Sequence, residues 1–368
     1  MNSIALEMEK KLPWIDSSRK VTQVHFGGGT PTSVPVSELK SILDRLKKRF
    51  TFSSGAEIAI ECNPASVTET LLSDLALAGF NRISYGIQDF NLETLRLIGR
   101  DPSLMDVPSL VSLSHKFGFQ SVNLDLIYGL PGQTLESFSD SVSKTIAANP
   151  DRIALFSYAH VPWKRPEQKR LEEYHIPDAY HKMSFFLKAR DMFKEAGYQN
   201  IGMDHFVKSS DSLFLASEHD LLHRNFQGYC TRSTTGQVYA FGSSAISQLD
   251  NAYLQNTHVT SDYMEKVKKQ KMTEVRVHPL TENEKIWRNM IERLMCNNAL
   301  KINEIEKKVL GERWNRLCAL EKEGLLTKIN DDEIRTTTLG SLVIRYLVSV
   351  IDPLLENQES EGVFSKTI

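Results

Sequence analysis

The chain has few cysteines, no long apolar run and no excess of charge of one sign, and each lack removes a class of function. Its four cysteines, Cys62, Cys230, Cys296 and Cys318, are far apart among the 368 residues and form neither CxxC nor CxxxCxxC. Neither a disulfide framework nor a self-contained metal site is readable, so no metal ligand is assigned. No apolar stretch approaches the ~20 residues of a membrane span, and Met1-Asn2-Ser3-Ile4 lacks a signal-peptide pattern. A cytoplasmic protein without a membrane partner is expected. With 44 basic against 46 acidic residues, the formal charge is −2, which leaves no global attraction to nucleic acid.

What is present is a run of glycines close to the start, His25-Phe26-Gly27-Gly28-Gly29-Thr30-Pro31-Thr32. Val21 to Phe26 alternates apolar and polar residues as a strand does, and the glycines then remove every side chain where that strand emerges. Glycine allows positive φ and bares its amide N–H, so the turn suits an anion or a cofactor lying on the main chain. The run is not a phosphate loop, for no Gly-Lys-Ser/Thr follows, and its spacing is not that of a dinucleotide fold. A tight turn before a helix is the bland reading of the same residues.

At 41% hydrophobic and 24% charged, the chain is long enough for one large domain and a smaller one. Strand-like segments near 21–26, 57–62, 82–87, 121–128 and 152–159 alternate with helix-like stretches at 37–50, 68–78, 103–117 and 134–148. That rhythm predicts α/β units on a parallel sheet. Each strand closes on polar or glycine residues: Gly27 to Thr30, Glu61, Gln88, Asp125, and Tyr158 to His160. Singly, each reads as a cap or a satisfied polar group. Together they point to a ligand site, because the C-terminal ends of parallel strands share one face.

From about Tyr198 the pattern changes. Tyr198 to Phe206 is strand-like and ends near Asp204-His205, which lack a third ligand at a telling spacing. Leu222 to Tyr229 mixes aromatic and hydrogen-bonding groups, as pocket walls do. Arg224 suits a substrate carboxylate, or is simply an exposed arginine. Beyond Leu280 the order helix, helix, helix, hairpin, helix is that of a winged helix. Glu312, Glu321, Glu323, Asp331, Asp332 and Glu333 break any basic stripe, so the module reads as a packing or lid domain rather than a DNA reader.

Seven segments in order resemble the oxygen-independent coproporphyrinogen III oxidases, radical S-adenosylmethionine (SAM) enzymes of haem synthesis: His25–Thr32, Ile60–Pro64, Gly86–Phe90, Asn123–Pro131, Tyr158–His160, Gly202–Phe206 and His223–Tyr229. The last two favour the oxidase over the related haem chaperone, whose corresponding segment reads more like His-Asn-x-x-Tyr-Trp. The resemblance implies a partial (β/α) TIM-like radical SAM barrel over residues 1–270 and a mainly helical, winged-helix-like domain over 271–368. It also implies oxidative decarboxylation of two propionates of a tetrapyrrole, an electron donor of unknown identity, and a monomer. Two SAM molecules are implied. Gly28, Glu61 and Ile246 correspond to contacts of the first, and Gly29, Thr30, Gln88, Arg100, Asp125 and Ala159 to those of the second. Phe226 and Gln227 match a segment used near the reaction centre.

The same resemblance implies a 4Fe–4S cluster held by CxxxCxxC after the first barrel strand, and this sequence contains neither that strand nor that loop. Ala5 to Trp14 matches the end of the helix that follows, so the barrel is expected to lack its first strand. An internal methionine taken as the start, a fragment, and a shortened paralogue that binds without catalysing all account for this. Val21 to Phe26 is then expected at a sheet edge, open to aggregation or swapping. A non-catalytic module that binds SAM or a tetrapyrrole is the competing reading of the chain as written.

Overall fold

The structure is a computed structural model that describes residues 1–355. Its strands are β1 (Lys20–Phe26), β2 (Thr51–Cys62), β3 (Arg82–Gln88), β4 (Ser121–Tyr128), β5 (Arg152–Ser157), β6 (Gln199–Ile201), β7 (His205–Val207), β8 (Leu222–Asn225), β9 (Gly228–Thr231), β10 (Ile246–Gln248), β11 (Ala252–Asn256), β12 (Glu274–Pro279), β13 (Ala299–Lys301), β14 (Leu326–Asn330) and β15 (Glu333–Thr336).

Period-two alternation builds the main sheet. In β3, Ile83, Tyr85 and Ile87 are buried while Arg82, Ser84, Gly86 and Gln88 take the other face. In β4, Val122, Leu124, Leu126 and Tyr128 are buried, and Tyr128 meets Phe138 and Phe186 of two covering helices. Ser121, Asn123 and Asp125 alternate onto the face turned away from those helices. Seven strands pair in the order β1-β2-β3-β4-β5-β7-β6, a curled half-barrel. β2 to β5 run parallel, with Glu61 beside Ser84, Gly86 beside Asp125, and Asp125 beside Ala154. This is the predicted α/β arrangement, and β1 stands at its edge.

The intervening helices are written as read. Thr68 Oγ1 accepts from Leu71 N at 3.2 Å to open the helix Glu69–Ala78, and Gly79 closes it in the left-handed region. The stretch near 103–117 begins later than expected, because Asp106 caps Ser109 N at 3.0 Å with Pro108 in the first turn. Leu92–Leu97 is a further helix, capped by Asn91, too short for periodicity to reveal.

Two expectations change. The single strand over 198–206 is a hairpin, β6 and β7, and β7 pairs antiparallel with β5, so the sheet is not parallel throughout. Strand β5 also ends at Ser157, leaving Tyr158 to His160 beyond it.

The described residues divide into two compact units, one from Val21–Asp44 and Phe52–Leu215, the other from Met1–Lys20, Arg45–Thr51 and residues 216–355. The second unit contains the β8–β9 hairpin, the sheet β10-β11-β12 and the sheet β13-β15-β14 with its helices. Strand β13 completes a three-stranded wing with β14 and β15, where the sequence order beyond Leu280 indicated only a hairpin. The module expected over 271–368 extends past the described residues. No helix among the described residues is long and apolar enough to cross a membrane.

Within the second unit, Glu7 fixes the helix Asn2–Lys11. Its buried carboxylate accepts from Lys11 Nζ (2.5 Å), Gly242 N (2.8 Å), Asn256 Nδ2 (2.8 Å), Tyr263 OH (2.7 Å) and Thr273 Oγ1 (3.2 Å). Five donors satisfy a charge that burial alone makes costly.

Candidate active site

In the first unit, the strand ends place several candidate residues together. After β1 the chain turns through Gly28 and Gly29 at φ +80° and +65°, where a side chain is strained. Gly28 N donates to Glu61 Oε2 at 3.1 Å, and His25 Nε2 lies 2.9 Å from Glu61 Oε1. A Cβ on Gly27 falls 2.6 Å from both His25 Nε2 and Glu61 Oε1, so the missing side chain is the space the pair occupies. Burial opposes ionisation of Glu61, but the His25 hydrogen bond and charge and the Gly28 N–H outweigh it and hold the carboxyl below its usual range. Thr30 opens the short turn Pro31–Ser33, accepting from Ser33 N at 3.0 Å.

Gln88 ends β3, whereas Asp125, expected at a strand end, stands inside β4, three residues before its last. Gln88 takes a positive φ of 66° at a register shift with β4, and its Nε2 lies 2.5 Å from where a Cβ on Gly86 would stand. Asp125 accepts from Asn123 Nδ2 at 2.6 Å and Ser84 Oγ at 3.2 Å. Burial, which outweighs these hydrogen bonds, pushes its carboxyl up to about 6, and nearby Glu61 adds to the rise. Asn123 is itself buried, and its Oδ1 has no hydrogen-bond partner. Ala159 is exposed beyond β5, with its carbonyl accepting from Gln168 Nε2 at 3.1 Å. Arg100 is exposed just after the helix Leu92–Leu97, held through its backbone N–H to Leu95 O at 2.9 Å.

The remaining candidates belong to the second unit. Ile246 opens β10 opposite Gln255, two residues after Ser244, whose φ is +61°. Phe226 and Gln227 form the tip of the β8–β9 hairpin, with Gln227 N donating to Asn225 Oδ1 at 2.8 Å. The Phe226 ring is 62% exposed and meets Tyr253 edge-on at 6.1 Å between centroids.

His25, Ser84, Asn123 and Gln168 join the candidates through geometry that sequence reading passed over. Ser84 and Asn123 had a signal, since both share strand parity with Gln88 and Asp125 respectively. Gln168 had none, because it reaches Ala159 from a turn nine residues away.

The donor set decides which cofactors fit. Carboxylates with open lone pairs and bare glycine backbone suit the hydroxyls and ammonium of a nucleoside–amino acid such as SAM. A cluster finds no such support: among the described residues no three His, Cys, Asp or Glu side chains gather to hold a metal ion. Burial pushes both Cys62 and Cys296 up to about 12, far from the thiolate that iron requires.

These strand ends, on a parallel half-barrel, are those of a radical SAM protein, and residues 5–144 match the model of the Radical SAM superfamily. The chain is 34% identical over 379 residues to the oxygen-independent coproporphyrinogen III oxidase of Synechocystis, covering all of this chain and 81% of that protein. The Escherichia coli protein of that name is 34% identical over 375 residues, with the same coverages. The solved structure of coproporphyrinogen III oxidase (HemN) from Escherichia coli, described as a radical SAM enzyme, superposes with a TM-score of 0.89 at 35% identity, over 96% of this chain and 82% of that one. The chain belongs to the oxygen-independent coproporphyrinogen III oxidase family.

Proposed function

We propose that this chain converts two propionates of coproporphyrinogen III to vinyl groups, giving protoporphyrinogen IX, each propionate losing carbon dioxide, a hydrogen atom to the adenosyl radical of SAM and one electron to an electron acceptor. The observation that carries the reading is the clamped Glu61 carboxylate beside the glycine turn, with the titratable Asp125 two strands away. Gly28, Glu61 and Ile246 are assigned to one SAM molecule, and Gly29, Thr30, Gln88, Arg100, Asp125 and Ala159 to a second. On reductive cleavage SAM supplies a hydrogen-abstracting adenosyl radical. The chain's own residues bind and orient: Glu61 and Asp125 accept hydrogen bonds, and the glycine turn lets a ligand meet backbone N–H groups. Phe226 and Gln227 are assigned to the tetrapyrrole. Residues 1–270 are taken as the barrel domain and 271–368 as the helical one, acting as a cytoplasmic monomer with a separate electron donor.

Binding without turnover is the second reading, favoured by the four free cysteines, which join no group of three His, Cys, Asp or Glu among the described residues. Equilibrium dialysis against SAM, followed by anaerobic reconstitution with iron and sulfide, tests both. SAM retention together with 5′-deoxyadenosine and a divinyl product supports the enzyme. SAM retention with neither product supports the binding module, and no retention overturns both.

A further inference from the structure

We infer that Arg224 is a substrate-binding residue that receives a carboxylate arm of the tetrapyrrole, an inference that rests on the substrate class proposed above. Arg224 lies on β8 directly opposite Tyr229 on β9. Its guanidinium carbon sits 5.5 Å from the centre of the Tyr229 ring. That ring is itself fixed: Tyr229 is 4% exposed, and its OH donates to Met295 O at 3.2 Å. A guanidinium held over an aromatic face loses rotational freedom, and its N–H fork is suited to bind a carboxylate through two parallel hydrogen bonds.

The cation lacks an anion. Arg224 is half-buried, its Nε is closed off from solvent without a hydrogen-bond partner, and no carboxylate among the described residues pairs with it. The nearby carboxylate, Glu292, is already engaged. It accepts from Arg232 Nη2 at 2.9 and 3.0 Å and also pairs with His223 Nδ1, which faces Cys230 across the hairpin. Taking a guanidinium partly out of water without a counter-ion is unfavourable, so the arrangement is completed by an anion that arrives from outside.

The hairpin also indicates the kind of anion. Two residues beyond Arg224, the exposed Phe226 ring offers apolar surface, with the Tyr253 ring against it. An apolar face beside a lone cation fits a ligand with a broad apolar body and short carboxylate arms. SAM also carries a carboxylate, and the test separates the two sources.

The full chain is titrated with coproporphyrin III, with coproporphyrin III tetramethyl ester and with SAM, as wild type, Arg224→Met and Arg224→Lys. Methionine keeps apolar packing on Tyr229 and removes the charge, while lysine keeps the charge and loses the fork. Arg224→Met is expected to weaken coproporphyrin binding by about tenfold, as loss of one charge-assisted hydrogen-bonding group does. Arg224→Lys is expected to fall between. The ester and SAM are expected to bind all three proteins equally, and the melting temperature of Arg224→Met to stay near wild type. Unchanged coproporphyrin binding in Arg224→Met, equal loss of acid and ester, or loss of SAM instead overturns the inference while leaving the proposed function standing. A wild-type chain that binds no coproporphyrin removes the substrate assignment, and the role of Arg224 with it.

Discussion

His25 and Glu61 meet at 2.9 Å in the volume that a side chain on Gly27 would need. A carboxylate only accepts, so His25 Nε2 carries the hydrogen, and Gly28 N–H occupies the other oxygen. Each oxygen keeps a lone pair for a ligand. His25→Phe removes one clamp; Glu61 then titrates at higher pH, and SAM binding weakens several-fold, from a loss of about 1 kcal/mol at this partly exposed pair. His25→Gln, which restores an N–H donor, recovers most of that affinity. Dialysis at a series of pH values checks both, because the acid limb of the binding profile moves upward in the phenylalanine variant alone. Gly27→Ala costs more than either, since its Cβ displaces the pair.

Asp125 carries the clearest pH dependence. Its carboxyl is raised from the ordinary 3.8 to about 6, mainly by burial, so the folded chain holds a proton that the unfolded chain has released. The stabilisation from that proton is complete below pH 3.8 and is lost as pH rises to about 6. The full shift corresponds to roughly 3 kcal/mol, and partial exposure of the residue reduces it to about 1–2 kcal/mol. Asp125→Asn removes the dependence. In urea unfolding, the wild type loses stability relative to the variant between pH 4 and 6, and the difference is constant above that. A parallel pair of curves removes this account of Asp125.

The legible part of the fold was the part written in short-range pattern. Ile83, Tyr85 and Ile87 alternate visibly, and Thr68 with Gly79 brackets a helix in the sequence itself. Glu61, Gln88 and Asp125 were found because parallel strands gather their C-terminal ends. His25 was missed as a partner because its contact spans 36 residues and depends on the pairing of β1 with β2. Likewise, the turn that splits residues 198–206 into β6 and β7 is driven by pairing with β5, a tertiary preference that overrides a continuous β-prone run.

At the opposite ends of the strands from Glu61 and Asp125, Arg152 holds a purely structural network. It is 2% exposed, and it donates from Nε to Asp211 at 2.7 Å and from Nη2 to Glu57 at 3.1 Å and to Ser212 Oγ at 3.0 Å. Arg82 Nη1 reaches the other Glu57 oxygen at 2.5 Å. Asp211→Ala leaves the buried Arg152 to share Glu57 with Arg82 as its one carboxylate, and is expected to cost about 3–5 kcal/mol in chemical unfolding. Glu57 gives the network an acid limit. Burial works against its charge, but Arg82 and Arg152 together bring its carboxyl down to about 2, so its contribution is present above pH 4.5 and is lost as pH falls through about 2. Asp211→Ala that unfolds like wild type makes the network dispensable.

Strand β1 ends the sheet on one side, so among the described residues one row of its backbone N–H and C=O groups has no strand beside it. Seven residues long and carrying the glycine turn at its end, it is a template for another chain. The chain is therefore expected to be a monomer when dilute and to self-associate as concentration rises, binding a hydrophobic dye as it does so. Val24→Lys places a charge in the middle of that edge and shifts the population toward monomer by opposing close approach of a second strand. Sedimentation velocity over a concentration series checks this. A chain that remains monomeric throughout, melts cooperatively and binds no dye shows that the edge is already protected, and Val24→Lys then changes nothing.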